Sequence, residues 1–268
     1  MLIITEPRLY LMGTPTYHHG EMKRFLNNNG LSGSQVHYLV EEDPENSNEP
    51  QGERHIEAAG RVCYLSFEKP RPGGPSAYIQ HILDVGHGSV LEHATYNILI
   101  EHISRSCSHE IVRHRAGFGY SQLSQRYVDE SVAEYIMPIK IQKDRPHVKD
   151  MWLRSIELSH MAYTSMVKDL LPDDFESLKG EERTTARKDA RQAARSLLPN
   201  ACETKIYMTG NLRAWRHFVE LRGTKHAEPE IRAVAMKVYE TLKGVAPAVF
   251  QGVDITHEGY IHSENPKV

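Results

Sequence analysis

In TYNILIEHI (95–103) the apolar positions Tyr96, Ile98 and Ile100 alternate with Asn97 and Glu101. That period of two predicts a strand with one buried face. The period changes in the next segment, SRSCSHEIVRHR (104–115). Ile103, Cys107 and Ile111 fall four residues apart, and Arg105, His109 and Arg113 form a parallel polar stripe, so a helix is expected. AGFGYSQ is then expected as a loop. SAYIQHILDVG (76–86) has helical spacing and ends on Gly86, a residue suited to a helix C-cap. HIEAAGRVCY (55–64) reads as a short helix, and residues 148–170 and 182–198 as long ones. ETKIYMTG (203–210) predicts a strand; 211–222 and 227–244 predict helices. The start, MLIITEPRLYLMG, has a strand-like composition. The acidic, Pro- and Asn-bearing stretch 41–54 is expected to be a solvated loop, and 69–74 a turn. Strands mixed with helices without βαβ regularity predict an α+β fold: a mixed or antiparallel sheet with long flanking helices.

Composition narrows the function classes. The 268 residues suit one large domain or one domain with appendages, and the formal charge of −3, with 16 histidines uncounted, gives no sign of nucleic-acid binding. No apolar run approaches the roughly 20 residues of a membrane helix, and the start lacks the pattern of a signal peptide. The three cysteines, Cys63, Cys107 and Cys202, are far apart. They point to a reducing compartment, with neither a disulfide frame nor a thiolate zinc site. A cytoplasmic enzyme is expected.

Cations are nevertheless gathered locally. RHRAGFGYSQLSQRY (113–127) holds Arg113, His114, Arg115 and Arg126 and no carboxylate. Like charges repel, so an anion is expected to complete the stretch. HEIVRH (109–114) is not a zinc-protease motif, because His114 falls at i+5, about 140° around a helix from His109. GFGYSQ has two glycines but follows a helix, so it fails as a dinucleotide fingerprint; it is either ordinary loop or a loop whose backbone approaches a ligand. Arg187, Arg191 and Arg195 recur at four-residue steps, as a solvated basic face or with Arg195 reaching an anion. NLRAWRHFVELR (211–222) carries Arg213, Arg216, His217 and Arg222 behind Asn211, a suitable N-cap at a helix start. His87 and His93 in GHGSVLEH, taken alone, read as satisfied structural histidines more readily than as ligands.

Together these blocks resemble the flavin-dependent thymidylate synthases. Arg113-His114-Arg115 followed by Ser124-Gln125-Arg126-Tyr127 is similar to that family's signature. GHGSVLEH, ARSLLP and NLRAWRHFVELR…HAEPEIR resemble its other blocks in the same order, over about residues 55–245. Two departures stand out. Eight residues separate Arg115 from Ser124 where the family usually has seven, and Glu110 stands where many relatives have glutamine.

The resemblance implies conversion of dUMP to dTMP, with carbon from 5,10-methylenetetrahydrofolate and electrons from NADPH through FAD. It also implies a homotetramer with sites between subunits. FAD would be bound by Ser89, Arg113, His114, Arg115, Gln122, Asn211, Arg213 and His217, with His87 close by. The nucleotide would be held by Glu110, Arg113, Gln122, Ser124, Gln125, Arg126 and Arg195. Arg222 would stand against the uracil as the catalytic electrostatic residue, and no cysteine or metal would take part. The catalytic domain is expected over 55–250, with an N-terminal extension (1–54) and a C-terminal tail (251–268). A same-fold UMP methylase and an RNA- or anion-binding module are the alternatives.

Overall fold

The structure is a computed structural model that describes residues 3–32, 36–41, 50–69 and 72–266. Most of the stretch expected as an acidic loop, and Pro70 and Arg71 of the expected turn, lie outside the described residues. The elements run β1 (Ile3–Ile4), β2 (Arg8–Gly13), α1 (His19–Asn28), α2 (His37–Val40), α3 (Gln51–Val62), α4 (Gly74–Asp84), β3 (Thr95–Ser104) and α5 (Arg105–Ile111). They continue with β4 (Phe118–Gln122), β5 (Tyr135–Ile136), α6 (Ile139–Gln142), α7 (Pro146–Asp169), α8 (Gly180–Ala194), β6 (Glu203–Asn211), α9 (Leu212–Arg222), α10 (Pro229–Lys243), β7 (Val253–Ile255) and β8 (Ile261–Ser263). One sheet has the order β2-β3-β6-β4. The fold is α+β, as expected.

The chain divides into two compact units. The first comprises residues 1–8, 100–113 and 120–207; the second comprises 9–99, 114–119 and 208–268. In the first, β1 pairs in parallel with β5, Ile3 opposite Tyr135 and Ile4 opposite Ile136. Ala133, Tyr135, Ile156 and Cys202 pack there, with Trp152 and Leu198 against them. Ser104 caps α5 by accepting from the Cys107 amide at 3.0 Å, and Ile103, Cys107 and Ile111 are all buried. The apolar stripe is thus as expected, but the helix stops at Ile111 rather than running to Arg115.

In the second unit, α9 and α10 bury Trp215, Phe218, Val219, Ile231, Val234 and Val238. The α4 terminus is a Schellman motif. Gly86, at φ +72°, donates to Leu83 O at 3.2 Å, and His87 donates to Ile82 O at 3.0 Å. Helix α3 starts at Gln51, four residues before the expected start, and its charged residues are buried rather than solvated. Glu53 accepts from the Ala248 amide at 2.7 Å, Arg61 pairs with Glu57 at 2.6 Å, and Arg54 donates to His19 at 2.7 Å. A buried charge is tolerated when it is paired in this way.

The segment expected as a loop, AGFGYSQ, corrects to strand over Phe118–Gln122. β4 ends the strand order, and an edge strand tolerates glycine better than a central one does. Phe118, Tyr120 and Gln122 turn inward while Gly119 and Ser121 are exposed. Gly117, just ahead of the strand, does need its freedom: φ is +75°, and a Cβ there would meet the Ala214 Cβ and Asn211 Nδ2 at 2.8 Å.

Candidate active site

In the second unit, a cleft of about 450 Å³ is lined by Glu92, Ala116, Gly117, Asn211, Arg213, Ala214 and His217. Its floor follows from local rules. Asn211 ends β6 in extended backbone, and its Oδ1 accepts from the Ala214 amide at 2.9 Å, the N-cap the sequence predicts. The Asn211 amide donates to Gly117 O at 3.2 Å, which draws 116–117 onto the start of α9. One turn on, His217 shares the face of Arg213, as four-residue spacing requires. Arg213 pairs with Glu92 at 2.6 Å, both side chains being close to half exposed. Such a pair is worth about 0–1 kcal/mol and gives way readily to a more strongly bound anion.

The other residues expected at the cofactor in this unit are close in sequence to the cleft's edges. His87 and Ser89 are exposed at the start of the 3-10 turn Gly88–His93. Arg115 is exposed, and its carbonyl accepts from the Phe118 amide at 3.5 Å. His114 is half-buried and accepts from Arg222 Nε at 2.8 Å. Burial first, then the charge of Arg222 and the neighbouring His217, push His114 down to about 4.

Arg216 is a different matter. It was grouped by sequence with Arg213 and Arg222, yet it is fully buried. It pairs with Glu220 at 3.1 Å and donates to Val249 O at 2.6 Å, Gln251 O at 3.3 Å and Asn265 O at 3.3 Å. It is a structural clamp.

The first unit gathers most of the expected nucleotide residues. Arg113 is exposed just past α5, and Glu110 lies in that helix's last turn. Gln122 donates to Ser108 Oγ at 2.8 Å and to Thr204 Oγ1 at 3.3 Å. Ser124 O accepts from the Tyr127 and Val128 amides, forming a tight turn. Within that turn Gln125 is buried and donates to Cys202 Sγ at 3.6 Å. The Arg126 guanidinium lies 5.9 Å from the Tyr127 ring centroid, and its Nε is buried without a hydrogen-bond partner. Among the described residues, no carboxylate pairs with Arg113, Arg126 or Arg195.

The α8 arginine stripe splits. Arg187 is exposed. Arg191 is held by Asp129 at 2.8 Å and by Tyr127 O at 2.8 Å, which corrects the reading of a uniformly solvated face. Arg195 sits where α8 passes into a 3-10 turn. Its charge is felt at Arg105, which the sequence places on a polar stripe but not among the candidate site residues. Arg105 is pushed below its ordinary value chiefly by burial and then by Arg195, against Cys202 and Glu130. It donates to Leu123 O at 3.0 Å and Thr204 Oγ1 at 3.2 Å. The signal for it was the stripe itself, since Arg105 shares the Arg113 face by four-residue steps.

The thiols have no nucleophile's setting. Cys202 is buried, and burial with the adjacent Glu130 pushes it up to about 12. At pH 8 its thiolate fraction is then about 10⁻⁴. A thiol reagent on the folded protein is expected to label Cys63, the exposed one, at least 10²-fold faster than Cys202. Labelling of Cys202 at a rate comparable to Cys63, read by peptide mass, would contradict this.

Comparison with known proteins agrees with these blocks. A family model described as thymidylate synthase complementing protein matches residues 46–248. The flavin-dependent thymidylate synthase of Mycolicibacterium gilvum (strain PYR-GCK) is 48% identical over 206 residues, 75% of this chain and 79% of that protein. That of Mycobacterium leprae (strain Br4923) is 46% identical over 208 residues, 76% of this chain and 81% of that one. Among solved structures, the UMP/dUMP methylase PolB from Streptomyces cacaoi, bound with 5-Br dUMP, superposes with a TM-score of 0.63 at 17% identity, covering 94% of this chain and 96% of that one, a likeness of fold. With the signature arginines, the N-capped α9 and its cleft all inside the matched residues, the chain belongs to the thymidylate synthase complementing protein family, the flavin-dependent thymidylate synthases.

Proposed function

We propose that the protein methylates dUMP to dTMP, taking the carbon from 5,10-methylenetetrahydrofolate and electrons from NADPH through FAD. One observation carries the reading. The family match contains both the arginines that no carboxylate pairs with among the described residues and the cleft beside the α9 N-terminus. The cleft residues fit an anionic cofactor. Gly117, whose missing Cβ lets the backbone close onto Ala214 and Asn211, brings the loop beside the α9 N-terminus, where negative charge is favoured, and Arg213 can exchange Glu92 for phosphate. In this reading Arg213, Asn211 and His217 hold FAD, with His87, Ser89, Arg113, His114, Arg115 and Gln122. When bound, the flavin supplies the hydride.

The nucleotide is held by Glu110, Arg113, Gln122, Ser124, Gln125, Arg126 and Arg195. Arginine suits the phosphate because its planar fork makes paired, charge-assisted bonds. Uracil C5 is a poor nucleophile. Arg222, set against the ring, stabilises the negative charge that develops at N3 and its neighbouring carbonyl as C5 attacks the methylene carbon. A guanidinium does this without titrating. Cys107 and Cys202 are both buried, and Cys202 is held protonated, a poor setting for thiolate addition to the pyrimidine.

Residues 55–250 form the catalytic region in this reading, flanked by 1–54 and 251–268. The reading includes homotetrameric assembly with shared sites; α7 exposes Met151, Leu158 and Met161 along one side, each more than 60% accessible, an apolar surface suited to a subunit contact. Among the described residues no helix is long and apolar enough to cross a membrane, and the free cysteines fit action in the reducing cytoplasm.

The purified protein is expected to show flavin absorbance and to form dTMP from dUMP, methylenetetrahydrofolate and NADPH. Arg195→Ala should weaken dUMP binding by roughly 10-fold or more, the worth of one charge-assisted contact, whereas Arg187→Ala should change it less than about twofold. Calorimetric titration showing equal losses removes Arg195 from the phosphate. UMP titrated in parallel decides the ribose preference.

A further inference from the structure

In the second unit, Arg222 Nε donates to His114 Nε2 at 2.8 Å. The two residues are 108 apart in sequence, Arg222 closing α9 and His114 opening the segment that is drawn onto α9 through Gly117. An imidazole nitrogen that accepts from a guanidinium carries no proton, so the contact requires neutral His114 with its hydrogen on Nδ1. The surroundings supply that state. Burial opposes a second positive charge there, and Arg222 and His217 oppose it further. The ring is also fixed in orientation. Phe218 meets it edge-on at 5.0 Å between centroids, and His217 at 6.4 Å.

We propose that His114 is a positioning residue for the reaction, its Nε2 fixing the plane of the Arg222 guanidinium that faces the pyrimidine. This rests on the reading of Arg222 given above. It adds to the role in cofactor binding that the family resemblance assigns to His114. The physical case is preorganisation. A free arginine side chain samples many rotamers, and ordering it costs entropy. A guanidinium is planar, so committing Nε–H to one acceptor sets the plane in which its other N–H groups point. An electrostatic contact stabilises developing charge most when it needs no reorganisation at the moment of reaction. Holding the acceptor neutral matters as well. An imidazolium at 2.8 Å would donate rather than accept and would repel the guanidinium.

The test compares two neutral amides in the FAD-loaded enzyme with dUMP, methylenetetrahydrofolate and NADPH. In His114→Gln the amide oxygen can occupy the position of Nε2. In His114→Asn it reaches only the position of Nδ1, one bond short. His114→Gln is expected to keep kcat within about tenfold of the unsubstituted enzyme. His114→Asn should lose about 10²-fold in kcat, the cost of a misplaced group of this kind. Both amides remove the imidazole assigned to the cofactor, so kcat is counted per bound flavin in each, and the Kd for dUMP should stay within about threefold in both, a split that a merely structural role would not produce. Equal kcat per bound flavin in the two variants overturns the proposal. Arg222→Ala separates the two levels. If it turns over normally, the reading of Arg222 has failed. If it is inactive while His114→Asn is active, only the positioning role has failed.

Discussion

Arg222→Lys is expected to lower turnover of dUMP by roughly 10²–10³-fold, the usual cost of one lost preorganised electrostatic contact. Melting temperature and flavin content should hold. Arg222 is the last residue of α9, and a cation is favoured at a helix C-terminus, so a purely stabilising role is the competing explanation. The substitution divides the two. Lysine keeps the charge and the favourable term with the helix dipole. It loses the planar fork, and it loses the Nε–H that His114 accepts at 2.8 Å. A cap needs only the charge; a partner for the uracil needs the plane. The measurement is dTMP formed per flavin under saturating substrates, with thermal melting on the same samples. Turnover within about threefold of the unsubstituted enzyme would leave Arg222 a cap and take it out of the chemistry.

The parts of this site that were legible in sequence are those set by short-range rules. The N-cap at Asn211, the shared face of Arg213 and His217 and the C-terminal turn at Gly86 each depend on residues within one helical turn. β3 and β6 showed their period of two because one face of each is buried. β4 was obscured by its two neighbouring glycines, which outweighed a real alternation of Phe118, Tyr120 and Gln122. The charged residues of α3 misled for a different reason. Glu53 is satisfied by an amide 195 residues away, and no local pattern distinguishes such a carboxylate from a solvated one. The same holds for Arg191, whose partners at 127 and 129 come from another element. Sequence spacing placed cations on common faces. It could not say which of them were already answered.

Arg216 shows how much can depend on that distinction. Arg216→Met is expected to destabilise the protein by about 3–5 kcal/mol, the cost of removing one partner from a buried ion pair. For a chain of this size that is a fall in melting temperature on the order of 10 °C. The side chain is fully buried, and Glu220, its partner at 3.1 Å, is 8% exposed. Without the guanidinium, Glu220 keeps the Ser263 hydroxyl at 2.7 Å and loses the charge of Arg216. The carbonyls of Val249, Gln251 and Asn265 lose a donor at the same time. Those carbonyls belong to the chain beyond α10, so residues 251–266 should become the first site of proteolysis in the variant. Replacing both partners, Arg216→Met with Glu220→Leu, should recover part of the loss, because the carboxylate that Arg216 faced no longer stays buried, though the carbonyls stay short of a donor. Calorimetry of the three proteins checks this order. Had Arg216 shared the role of its neighbours Arg213 and His217, the single substitution would instead reduce flavin content at unchanged melting temperature, and that outcome would return it to the cofactor cluster.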